Sequence, residues 1–124
     1  MRELPDEVER FIAEHVDTLE QLEILLLLRA QRSREFTADA VTAELRLGPA
    51  TAPERLAALA ARGFLSCQGV PPLYRYAPNP ATDQVIGALA SVYAERRVAV
   101  ITRIFSPRTD SVRSFADAFK LRRR

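Results

Sequence analysis

Apolar positions recur at helical spacing along most of this chain. Val8, Phe11, Ile12 and His15/Val16 share one face of a helix predicted over residues 5–16, with acids crowding its start and Pro5 suited to a first turn. Leu19, Leu22, Leu25 and Leu26 mark a second helix, capped by Asp17 or Thr18 and running to about residue 31. Its stretch 24–28 is apolar nearly all round, the mark of a central, buried helix.

The middle of the chain changes rhythm. Residues 35–37 read as a short strand or turn that leads to Thr37 as an N-cap. A helix over 38–46 follows, with Ala40, Val41, Glu44 and Leu45 spaced for one buried face. Gly48 is expected to supply the left-handed residue past its end, and Pro49 prevents continuation. Thr51 and Glu54 have capping-box spacing, so a further helix is predicted from Thr51 to about residue 62, ended by Gly63. Residues 64–68 and 73–77 read as two strands. Between them, Gly69-Val70-Pro71-Pro72 makes a stiff, uncharged hairpin tip.

Residues 82–106 are helix-compatible throughout, and as one rod would span about 37 Å. Val85, Ile86, Leu89, Val92, Tyr93, Val100, Ile101, Ile104 and Phe105 form a broad apolar face, interrupted midway by Arg96 and Arg97. So long a stripe is hard to cover within a small domain, which predicts a homodimer with Val85, Leu89, Val92, Tyr93, Val100 and Ile104 at the interface. Pro107 ends the helix. In the tail, Phe115 and Phe119 fall on one side of a helical turn. They are candidate docking residues for this chain, its dimer mate or another protein, and the closing arginines bring a basic end.

The expected organisation is one domain over residues 1–124. Two N-terminal helices occupy 1–32, a helix-turn-helix with a hairpin 33–77, the long helix 80–106 and a tail 107–124. The fold class is mainly α with a small β-hairpin. Composition narrows the function further. The chain has 124 residues, one Cys and one His, so neither an internal disulfide nor a structural zinc site is expected. No apolar run approaches a membrane span and the acidic N-terminus does not read as a signal peptide, so a cytoplasmic setting without membrane contact is expected. The net charge of +2 conceals an acidic first helix pair and a basic middle and end. All basic residues but Lys120 are arginine, which permits a polyanionic partner.

Helix, short turn, helix, hairpin is the order of a winged helix-turn-helix. Together with the Leu56…Leu59…Gly63-Phe64-Leu65 pattern, it makes residues 36–77, about a third of the chain, resemble bacterial winged-helix transcriptional regulators of the MarR/PadR kind. The resemblance implies that the helix after the turn enters the major groove of double-stranded DNA and that terminal helices dimerise. On that basis Thr51, Ala52, Arg55, Ala58 and Arg62 should face outward. Arg55 would read bases, Thr51 and the free amides beside it would anchor a phosphate, and Arg62, Arg75, Arg34 and Arg32 would add backbone contacts. The uncharged hairpin tip departs from the basic wings usual in that family, and Glu54 opposes phosphate. A second class therefore stands beside the first: a winged-helix adaptor that grips a signalling protein or another transcription factor, with Phe115 and Phe119 as its hold.

Catalysis has no constellation to support it. The sequence has no Gly-rich phosphate loop, no metal-spaced carboxylates and no motif joining His15 to Cys67, so a non-enzyme without metal or cofactor is expected. His15 is expected as an ordinary partly buried histidine and Cys67 as a small buried strand residue.

Overall fold

In the computed structural model, residues 4–105 are described, and the tail residues Phe115 and Phe119 lie outside them. The described part is mainly helical, with six helices and one two-stranded antiparallel sheet. The first two helices, α1 (Asp6–His15) and α2 (Leu19–Ala30), form where the apolar spacing predicts. Thr18 caps α2 by accepting a hydrogen bond from the Gln21 amide at 3.1 Å, while the Gln21 side chain accepts one from the Asp17 amide at 2.7 Å. These reciprocal bonds satisfy two donors at the chain reversal between the helices. Leu22, Ile24, Leu25 and Leu28 of α2 are fully enclosed, as its all-round apolar run requires.

Thr37 caps α3 (Ala38–Leu45) in the same way, through the Ala40 amide at 3.1 Å. The left-handed residue that ends α3 is Arg46, at φ 56° and ψ 51°, and not Gly48. Thr51 is the first residue of α4 (Thr51–Ala61) and not its cap. Ala50 takes the cap position without a side-chain bond, and the Thr51 amide donates instead to the Gly48 carbonyl at 3.2 Å. The i→i+3 bond across 48–51 leaves no room for the expected capping box. Gly63, at φ 88°, ends α4 as anticipated.

The hairpin pairs β1 (Leu65–Gln68) with β2 (Leu73–Tyr76) in the register Leu65 to Tyr76 and Cys67 to Tyr74. Phe36 adds a bridge on the far side of β2: its amide donates to the Tyr74 carbonyl, and the Tyr74 amide donates back, both at 2.8 Å. Phe36 is itself fully buried, so this bridge pins the start of α3 to the sheet.

A single helix over 82–106 does not form. The chain builds α5 (Pro80–Glu95), bends at Arg96, where φ is −132° and ψ is 56°, and resumes as α6 (Arg97–Phe105). No Gly or Pro causes the break. The bend brings α6 back against α5 and α1, so that Val100 shares one core with Ile86 and Leu89. A straight rod would carry Val100 about 16 Å beyond Leu89 and leave it in water. Burial therefore outweighs continued helical propensity at the polar Glu95-Arg96-Arg97 step. Leu89 and Val100, expected at a dimer interface, are enclosed within this chain. Val85, Val92, Tyr93 and Ile104 are half-buried against the same core.

Candidate nucleic-acid interface

The arrangement to be weighed is α3, the turn at 46–50, α4 and the hairpin. α3 packs on α4, α4 packs on both α2 and β1, and β2 lies on α2. The buried stripe of α4 is Ala52, Leu56 and Leu59, at i, i+4 and i+7. That stripe fixes which side of α4 meets water. Ala52, expected outside, is fully buried, and Thr51 and Ala58 are half-buried. The exposed positions are Pro53, Glu54, Ala57, Ala61 and Arg62. The periodicity that places the helix was legible; the start of its apolar stripe at Ala52 was hidden by the small size of alanine.

The expected arginines part company. Arg55 lies in the second turn of α4 with its side chain 29% exposed. Its Nη1 is 4.0 Å from the Glu54 carboxylate, a long pair, and its Nε is enclosed without a hydrogen-bond partner. Arg46, at the turn, is exposed. Arg62 is engaged elsewhere: its Nη1 donates to the Glu14 carbonyl and to His15 Nδ1, each at 3.1 Å, and its Nη2 is 3.6 Å from Asp17. This guanidinium thus caps the end of α1. Arg34 donates to the Gln31 side chain at 3.0 Å and stacks over the Phe36 ring at 4.2 Å. Arg75 donates through Nε to the Arg32 carbonyl at 3.3 Å. Arg34, Arg62 and Arg75 are thus each held by a contact within the chain. The partners of Arg62 and Arg75 are distant in sequence, which local pattern cannot show, whereas those of Arg34 are its near neighbours.

A second polar cluster, missed from sequence, ties α2 and the hairpin to α5. Asp83 Oδ1 accepts from the Tyr76 hydroxyl at 2.5 Å and from Arg32 Nη2 at 3.4 Å, with Arg29 Nε at 3.7 Å. The Tyr76 bond, aided by both guanidinium groups, holds the Asp83 carboxyl below its ordinary range. Burial and the same carboxylate push the Tyr76 hydroxyl well up. Gly87 leaves the space this cluster needs, since a Cβ there would lie 2.8 Å from Arg29 Nη2.

At the other end, Arg97 pairs with Glu23 of α2 at 3.5 Å and stacks on Tyr93, whose hydroxyl donates to the same carboxylate at 3.3 Å. His15 is half-buried between the rings of Phe11 and Phe64, as expected. Cys67 is exposed, contrary to expectation, because only Leu65 of β1 faces the core. Burial, and then its hydrogen bond with Cys67, raise the Tyr74 hydroxyl.

Among the described residues no helix is long and apolar enough to cross a membrane, and no three His, Cys, Asp or Glu side chains are grouped to hold a metal ion. In comparisons with known proteins, no family model, curated protein or solved structure matches the chain.

Proposed function

We propose that the chain is a winged-helix regulator of transcription that acts as a homodimer and binds double-stranded DNA through the α3–α4 unit. The order α2, Phe36 bridge, α3, α4, hairpin supports that reading as a fold-level analogy. The observation that carries it is the state of Arg55. Among the described residues its guanidinium has only a long pair to Glu54, so its terminal nitrogens, though not the enclosed Nε, are available to a base edge or phosphate. Arg46 is exposed at the start of the turn that leads into α4. The base-reading role thus rests on Arg55, while Arg62 acts first in tying the end of α4 to α1.

Capture of fragmented genomic DNA by the purified protein, at low and near-physiological salt, tests the reading. A sequence-specific dimer retains sites with two-fold symmetry at the higher salt, whereas non-specific phosphate binding collapses. Arg55→Ala should weaken binding to an enriched site by about tenfold or more with an unchanged unfolding curve. No enrichment by the folded protein, or equal binding by the variant, overturns the assignment.

One observation favours the adaptor reading. The exposed face of α4 carries Pro53, Glu54, Ala57 and Ala61, and Val70 at the hairpin tip is fully exposed. That surface suits a protein better than a phosphate backbone. Deleting residues 111–124 separates the two readings: a DNA reader keeps its operator affinity, and a tail-held adaptor loses its protein partner.

A further inference from the structure

A recess of about 470 Å³ opens where the segment after α2, the end of β2 and the start of α5 converge, and no residue of α4 lines it. It is lined by Arg32, Ser33, Arg75, Tyr76, Ala77, Pro78, Pro80 and Asp83. The volume falls within the range of about 300–1,000 Å³ typical of small-molecule sites. Its walls divide by chemistry. Ala77, Pro78 and Pro80 give a rigid apolar side, and two guanidinium groups with the Ser33 hydroxyl give a donor side.

Those guanidinium groups are positioned but not saturated. Arg75 is oriented by the single bond from its Nε to the Arg32 carbonyl, which leaves both Nη atoms without a partner among the described residues. Arg32 lies over the Tyr76 ring at 5.2 Å and reaches Asp83 through one long bond of 3.4 Å. Asp83 is the one acid in the lining, and an incoming anion must tolerate it. Its charge is already met by the Tyr76 hydroxyl and by Arg29 behind it, so Arg32 can turn to a ligand without stranding the carboxylate. Planar, forked donors over an apolar wall match a carboxylate better than a bare spherical ion.

We propose that this recess is a binding site for a small organic carboxylate with an apolar body, held by Arg75 and Arg32 through its carboxylate and by Pro78 and Pro80 along its body. None of its residues belongs to α4, so the site is separate from Arg55, although it uses Arg32 and Arg75, which the winged-helix resemblance would give to the DNA backbone.

The test uses the full-length protein and three probes at matched ionic strength: sodium benzoate, sodium acetate and inorganic phosphate. Backbone amide NMR signals of Ser33, Arg75, Ala77 and Thr82 report the site. Benzoate should shift them saturably in the millimolar range, and acetate about fivefold more weakly because it lacks the body that the prolines cover. Arg75→Gln should weaken benzoate binding by about tenfold while leaving thermal unfolding in place. Arg32→Gln should weaken it too, providing a second variant on a different element. Shifts that stay linear, benzoate binding unchanged in both variants, or phosphate binding more tightly than benzoate would each overturn the assignment.

Discussion

Arg46 holds a left-handed backbone conformation at the end of α3, a position that favours glycine. An L-residue there costs about 1–2 kcal/mol, and glycine returns part of that through the greater freedom of its unfolded chain. Arg46→Gly is therefore expected to stabilise the protein by about 0.5 kcal/mol. The change should appear as a higher urea midpoint at an unchanged slope. Lower stability would mean that the Arg46 side chain contributes contacts worth more than its strain. Residue-scale reading from sequence succeeded where the physics is local: Thr18 and Thr37 cap their helices through amides three residues on. It failed at Thr51, where a carbonyl from the preceding turn competes for the cap, and at Arg46, where the chain ends α3 two residues before its glycine.

Among the elements, the tie between β2 and α5 has a measurable pH signature. Asp83 is held below its ordinary range, first by the Tyr76 hydroxyl. Its contribution to stability is thus present above the ordinary carboxylate range and fades as pH falls through its folded value. Tyr76 behaves inversely: its raised hydroxyl stays protonated in the folded state while the unfolded chain ionises above pH ~10, so stability falls there. Tyr76→Phe should flatten both limbs, a loss seen when urea unfolding is followed across acid and alkaline pH. Identical profiles for the two proteins would remove Tyr76 as the coupling group. The break between α5 and α6 shows why element boundaries were less legible than element faces. Val85 to Ile104 has the right period for one helix, but the choice to bend at Arg96 depends on what Leu89 and Val100 meet in the core. The facing of α4 failed similarly, since alanine at 52 reads as neutral until its neighbours are in place.

For the molecule as a whole, the bend alters where a second copy can sit. With Leu89 and Val100 enclosed, the large apolar side chains left outward on α6 are Val98, 77% exposed, and Phe105, 68% exposed. If the chain dimerises, that face of α6 is the surface with most to bury. Val98→Glu is accordingly expected to weaken self-association by about tenfold or more, read by sedimentation, with helical content unchanged because Val98 faces water. Equal sedimentation of wild type and variant would count against dimerisation through α6. A different long-range link, the one from Arg62 at the end of α4 to the last turn of α1, fixes a detail of proton placement. An arginine only donates, so the contact at His15 Nδ1 requires that nitrogen to be bare and its proton to sit on Nε2, the atom 3.7 Å from Glu14. The neutral imidazole is thereby committed to a single tautomer, with its N–H turned to the Glu14 side of the seam between α1 and α4.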